Sequence, residues 1–292
     1  MRGRIFLVLL LTAGLVFSTV AVASAGGTLI FGSSGDVGRL DPADATDGES
    51  QQRMDNIFEG LVGFKSGTTE IQPYLATSWE TSKDGKEITF HLRHGVKFHD
   101  GTDFNADAVV FSFARQYDPN HPYHQYGEWN YWSYMFSDVE KVVKIDDYTV
   151  KIVLKRVNAS IMTTLAMFTV SIVSPTNAEK YKEDASKHPC GTGPFKFVEW
   201  VKDDHITLEA NENYWRGRPK LDRLIFKVIP DPSARLMALE VNEVQGIEYP
   251  DPVSFDRIKA NPDLQLLTQP GMNIGYMAMN TGYGYKDANE NG

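Results

Sequence analysis

The stretch Cys190 to Asp231, CGTGPFKFVEWVKDDHITLEANENYWRGRPKLDRLIFKVIPD, constrains the fold more than any other. Gly191, Gly193 and Pro194 make a tight loop, and Gly193 is held extended because a proline follows it. That reading makes Gly193 the more demanding of the two glycines and predicts a smaller cost for Gly191→Ala. Phe195 and Phe197 alternate with Lys196 and Val198, the period of a half-buried strand. Ile206, Leu208 and Ala210 repeat that period after the polar turn Lys202–Asp204, and Asn211-Glu212-Asn213 closes the second strand. The aromatic pair Tyr214-Trp215 follows. Leu224, Phe226 and Val228 define a third strand, and Asp231-Pro232 caps a helix to about Asn242. The stretch is a meander that feeds a helix.

The same residues carry a resemblance. GTGPFKF and NENYWRGRPKLDRLIFKVIPD, together with GLVGFKSGTTEIQPYLATSWETSKDGKEITFHLRHGVKFHDG (60–101), FNADAVVFSFARQ (104–116) and GMNIGYMAMN (271–280), resemble the family 5 extracellular solute-binding proteins. These are the peptide-, nickel- and opine-binding receptors of ABC importers. Several long matches in one order cover most of the chain after residue 25. The resemblance implies a mixed α/β fold of the periplasmic binding protein type II kind. It implies an N-terminal lobe over 26–280 with an extra subdomain inserted at about 65–190. Residues 281–292 then read as the start of a crossover to a second lobe that this sequence does not contain.

Arg2 and Arg4 precede an apolar run, Ile5 to Phe17, and Ala23-Ser24-Ala25 gives a small-residue cleavage site. Residues 1–25 therefore read as a secretory signal peptide, too short in its apolar run to span a bilayer. The only cysteine is Cys190, far from that site, so a lipid anchor on a processed N-terminal cysteine is excluded and a soluble periplasmic product is expected. Cleavage takes the net charge from −9 to −11, because two arginines leave and no acid does. An acidic chain without basic clusters argues against nucleic acid, where phosphate contacts dominate affinity. A single cysteine forms no internal disulfide, and Cys190 reads as a small buried hydrophobe. Dipeptide-binding relatives can carry a disulfide in this half. The matching positions here are Gly32 and Val244, so the resemblance implies that the bridge is lost as a pair.

Thr28–Gly32 reads as a first strand and Gly35–Pro42 as a loop. Met54, Ile57, Phe58, Leu61 and Val62 fall at helical spacing, which predicts an amphipathic helix over 50–62 with Thr46, Asp47 or Ser50 as its cap. Asp47 and Glu49 would already occupy the field at that helix start. Ile88, Phe90 and Leu92 define a strand. Asn105 caps a second helix through Ala114, and Val142–Leu154 is a hairpin. A short helix near Ala159–Met167, a strand Val170–Val173 and a helix capped by Thr176 follow. Beyond the meander come a strand Val244–Glu248, a helix from Pro252 to Ala260, a strand Leu264–Leu267 and a last strand over 271–280.

Asp118 to Phe136 holds Tyr123, Tyr126, Trp129, Tyr131, Trp132 and Tyr134, more rings than a solvated loop needs. They either cover the subdomain or form a stacking wall for a ligand. The resemblance places a tyrosine of this region against the peptide, which nominates Tyr131, with Trp129 its rival. It also places the loop around Gly38 and Leu40 near the ligand cleft. Thr46, Asp47 and Gly48 complete the candidate set.

His91, His94, His99 and Asp100 suggest a metal, but on a strand residues three apart face opposite sides. No metal, no cofactor and no catalytic residue is expected. There is no Gly-x-Ser-x-Gly elbow, since Gly32-Ser33-Ser34-Gly35 lacks its spacing, and no HExxH. The resemblance implies a receptor, monomeric when complete, that closes on a small peptide and delivers it to an inner-membrane ABC permease. A nickel, haem or opine receptor is the alternative within the fold. A secreted metal-dependent hydrolase is the alternative from another class.

Overall fold

The computed structural model describes residues 26–268. The expected signal peptide, the strand over 271–280 and the crossover over 281–292 lie outside the described residues. The chain opens with β1 (Thr28–Ser33) and α1 (Gly48–Met54), then β2 (Val62–Phe64) and β3 (Ile71–Pro73) as a short hairpin. Next come β4 (Ala76–Thr81), β5 (Glu87–Leu92), α2 (Ala106–Tyr117), α3 (Asn130–Met135), β6 (Val139–Asp146) and β7 (Thr149–Leu154). After α4 (Ile161–Leu165) and α5 (Pro175–Tyr181) the expected meander appears as β8 (Phe195–Val201), β9 (His205–Ala210) and β10 (Arg223–Val228). Then come α6 (Pro232–Glu240), β11 (Gly246–Ile247) and α7 (Phe255–Ala260).

Two sheets organise two cores. The larger has the order β11-β1-β10-β9-β8, with β1 parallel to both β10 and β11. Ile57, Phe58, Ile206, Leu208, Leu224 and Phe226 pack against it. The smaller has the order β4-β5-β7-β6, all antiparallel, and is covered by α2 and the aromatic segment. Its core holds Phe90, Val109, Phe113, Trp132, Phe136 and Ile152.

The hydrophobic period at 54–62 marks burial rather than helix. Met54, Ile57, Phe58, Leu61 and Val62 are all buried, yet α1 stops at Met54. The carbonyls of Asn56 and Ile57 are taken by the N–H groups of Phe195 (3.0 Å) and Gly193 (2.9 Å), so the loop after Cys190 captures the chain where a helix would have continued. Val170–Val173 forms no strand either. Ile172 N–H donates to the Glu59 carbonyl and Val173 N–H to the Ser112 hydroxyl, which satisfies the segment without a ladder. Ser174, not Thr176, caps α5, accepting from Asn177 N–H with Pro175 in the first turn. The last strand signals shrink to Gly246–Ile247, and Leu264–Leu267 pairs with nothing in the described sheets.

Gly32 and Val244 are neighbours. A Cβ at Gly32 would lie 3.5 Å from Val244 Cγ2, so the two positions that the resemblance matched do face each other.

Candidate functional site

Because β1, β10 and β11 run parallel, their carboxyl ends open on one edge of the larger sheet. In open α/β sheets that edge is where ligands bind, since loops leave it in different directions and form a crevice. Ser33 ends β1 there, Ile229 follows β10, Glu248 follows β11, and the Lys202–Asp204 turn joins β8 to β9 at the same edge. Two of the non-glycine residues in the left-handed region, Asp203 (φ 61) and Tyr249 (φ 46), lie on it.

A buried polar network holds the edge together. Ser33 Oγ and Ser34 Oγ each donate to Glu248 Oε1 at 2.9 Å, and Ser34 N–H donates to the same oxygen at 2.8 Å. Burial alone would raise the Glu248 carboxyl, but these donors outweigh it and hold it below the usual carboxylate range. Arg53, 1% exposed, donates to Ser33 Oγ, to the Gly35 carbonyl at 3.2 Å and to the Glu49 carbonyl at 2.9 Å. Its guanidinium lies 4.7 Å from the Phe226 ring centroid. Asp36 accepts from Trp200 Nε1 (3.0 Å) and from Asp203 N–H (2.8 Å), which ties the β1–α1 loop to the β8–β9 turn.

The sequence-nominated residues separate into three places. Gly38 and Asp47 meet at Ser50, and Thr46 and Gly48 flank Asp47 in the chain to complete a rim. Asp47 caps α1, accepting from Ser50 N–H (2.7 Å) and Ser50 Oγ (2.8 Å), while Ser50 Oγ accepts from Gly38 N–H (3.0 Å). A Cβ on Gly38 would sit 3.1 Å from Asp47 Oδ2, so a bare backbone suits that position. Leu40 is elsewhere, buried in the core beside Val37 and Phe58. Trp129 and Tyr131 form the third place.

Trp129 is 5% exposed and donates from Nε1 to the His124 carbonyl at 2.8 Å. Arg115 lies 5.0 Å from its ring and makes a bidentate pair with Asp41, at 2.6 and 2.7 Å. Glu128 N–H donates to Asp44 Oδ1 at 2.8 Å. These bonds bind the aromatic segment to the β1–α1 loop. Tyr131 is half-buried, edge-on to Phe168 and stacked with the exposed Tyr134. Much of the ring density therefore covers the subdomain, as Trp132 against Phe113 and Phe136 shows.

The histidines do not converge. His91 is exposed on β5, His94 stacks on Tyr148 at 3.8 Å, and His99 Nε2 donates to the Gly193 carbonyl at 2.9 Å. Burial drives the His99 imidazole down to about 4, so at neutral pH the ring is uncharged. Among the described residues no group of three His, Cys, Asp or Glu side chains has the geometry to hold a metal ion. Cys190 is buried beside Asp100, and burial pushes its thiol up to about 12, which leaves it unreactive. Glu59 explains the signature's aromatic pair. Its carboxylate accepts from Thr192 Oγ1, Tyr214 Oη and Trp215 Nε1, each at 2.8 Å. Burial raises the Glu59 carboxyl, and those three bonds oppose the rise. That cluster joins the loop, the meander and the segment that follows α1, away from the carboxyl edge.

Sequence reasoning missed Ser33, Arg53, Arg235 and Glu248. Ser33-Ser34 directly after a strand was a usable signal. Arg235 is hidden among the apolar residues of α6, and Arg53 is one more polar residue in the polar α1, GESQQRM.

Comparison with known proteins decides the family. Residues 70–290 match the bacterial extracellular solute-binding proteins, family 5, middle region. The chain belongs to this family. It is 42% identical to heme-binding protein A of Haemophilus influenzae over 77% of this chain and 44% of that protein. It is 39% identical to the dipeptide-binding protein of Escherichia coli over 91% of this chain and 53% of that one. Among solved structures it superposes on an ABC transporter-associated periplasmic binding protein of Helicobacter pylori, in complex with peptide STSA. The TM-score there is 0.77 at 39% identity, covering 81% of this chain and 49% of that one. The chain spans about half the length of the family members it matches. Among the described residues no helix is long and apolar enough to cross a membrane.

Proposed function

We propose that this chain is the ligand-facing first half of a periplasmic receptor that binds small peptides for an inner-membrane ABC permease. Residues 26–280 form its first lobe, and the small sheet with α2 and the aromatic segment is a subdomain inserted at about 65–190. The protein is exported by cleavage of residues 1–25, is not a lipoprotein, and performs no catalysis. The observation that carries this reading is the parallel carboxyl edge braced by Ser33, Arg53 and Glu248, with the Gly38–Gly48 rim beside it. The H. pylori neighbour, captured with a tetrapeptide, supports a peptide as ligand. A haem reading is suggested by the H. influenzae relative, and titration with hemin and with peptides separates the two.

A receptor of two lobes gains affinity because closure surrounds the ligand and desolvates its charged ends on both sides. One open face leaves a peptide largely hydrated. Calorimetric titration of this chain without its leader is therefore expected to give dipeptide dissociation constants of about millimolar or weaker, and no hemin binding. Tight hemin binding with no response to peptides would overturn the peptide reading. A micromolar peptide constant would show that this lobe carries a complete site by itself.

A further inference from the structure

The turn after β11 combines exposure with backbone strain. Tyr249 is 72% exposed and has φ 46. A bulky aromatic residue in the left-handed region is a backbone outlier, and it persists only where its surroundings over-determine it. Here they do so from two sides. Arg235 on α6 is 2% exposed, and its guanidinium donates to four main-chain carbonyls: Ile229 (2.6 Å), Pro230 (3.0 Å), Glu248 (3.2 Å) and Tyr249 (3.2 Å). One buried fork thus gathers the two loops that leave the carboxyl ends of β10 and β11. On the other side the Glu248 side chain is fixed by Ser33 and Ser34 at the end of β1. Pro250 follows and favours an extended backbone for the residue before it, so it adds to the strain at Tyr249 that the other contacts must hold.

The strain returns little to the lobe itself, because the ring stands mostly in solvent rather than in a core. Strained residues cluster at active sites, ligand clamps and switch regions. We infer that Tyr249 is a ligand-contacting residue and that Arg235 is its positioning residue. The fork holds the turn so that the ring stands at the carboxyl edge and packs on the apolar body of the bound peptide. The inference rests on the peptide-receptor reading and adds to it a residue that the sequence patterns did not nominate.

Tyr249→Gly separates presentation from packing, because glycine adopts φ 46 without strain. The probe is the dipeptide L-alanyl-L-phenylalanine, titrated into the isotopically labelled chain and followed by NMR shifts, with thermal melts in parallel. The expected result for Tyr249→Gly is a melting temperature equal to or above that of the unmodified chain, with peptide binding weaker by about fivefold or more. Tyr249→Asn, which also tolerates the left-handed region, should behave the same way. Arg235→Lys keeps the charge and loses the fork. It should weaken binding, and the loss should not add to that of Tyr249→Gly if both act through one contact. Unchanged peptide binding by both Tyr249 variants would overturn this inference alone. So would a lowered melting temperature for Tyr249→Gly, since it would make the ring a packing element. An unmodified chain that shows no peptide-induced shifts would instead overturn the peptide reading, and this inference with it.

Discussion

At the scale of single residues, the loop after Cys190 is set by close approach and not by unusual dihedrals. Neither Gly191 nor Gly193 has a left-handed φ. A Cβ on Gly191 would fall 2.2 Å from the Ile57 carbonyl oxygen, and one on Gly193 would fall 2.7 Å from the carbonyl oxygens of Asn56 and Ile57. The ranking drawn from the proline is therefore reversed. Gly191→Ala is expected to cost at least as much as Gly193→Ala, each about 1–3 kcal/mol in urea melts, because backbone must move to admit the methyl group. His99 pins the same loop, donating from its backbone to the Gly191 carbonyl and from Nε2 to the Gly193 carbonyl. Its Nδ1 is buried without a partner, so a second ring proton would find no acceptor. The folded imidazole titrates near 4 against 6.5 for the free side chain, so the unfolded chain binds the proton first as pH falls. Stability is expected to drop by up to about 3 kcal/mol between pH 7 and pH 4 from this group. His99→Gln, which keeps a donor for the Gly193 carbonyl, should flatten that part of the pH profile in urea melts. An unchanged slope would show that the imidazole is not the group responsible.

At the scale of elements, what the sequence disclosed was local chemistry. The meander of β8, β9 and β10 was legible because two polar turns interrupt a clean alternation, and α2 was legible because Asn105 stands before a helical period. Where tertiary partners took over the backbone, the period misled. Residues 54–62 are buried at helical spacing, but the carbonyls of Asn56 and Ile57 serve residues 193 and 195. The cap of α5 is a case that mutation can settle. Ser174 Oγ accepts from Asn177 N–H and donates to Asp100 at 2.5 Å. Ser174→Ala should cost about 1–2 kcal/mol, while Thr176→Ala should stay within about 0.5 kcal/mol. Equal losses in denaturant melts would restore the cap that Thr-first reading assigns. The site was only half legible for a related reason. Loop residues such as Gly38 and Asp47 stand out in sequence, whereas Arg53 and Arg235 lie inside helices and acquire their roles only once β1, β10 and β11 are side by side.

At the scale of the molecule, two sheets with separate cores are tied together by a few polar contacts: Asp41 with Arg115, Asp44 with Glu128, and Glu59 with Tyr214 and Trp215. Those ties place the aromatic segment beside the loop that leaves β1, and that loop beside the carboxyl edge. We propose that this edge, with its rim, is the face turned towards a ligand. The direct test is a residue-by-residue NMR map of the labelled chain titrated with L-alanyl-L-phenylalanine to high concentration. Shift changes are expected only at Ser34, Gly38, Thr46 to Gly48, Tyr131 and the Glu248–Tyr249 turn. Changes centred instead on the outer face of β8, around Phe197 to Trp200 and Lys187, would contradict the proposal.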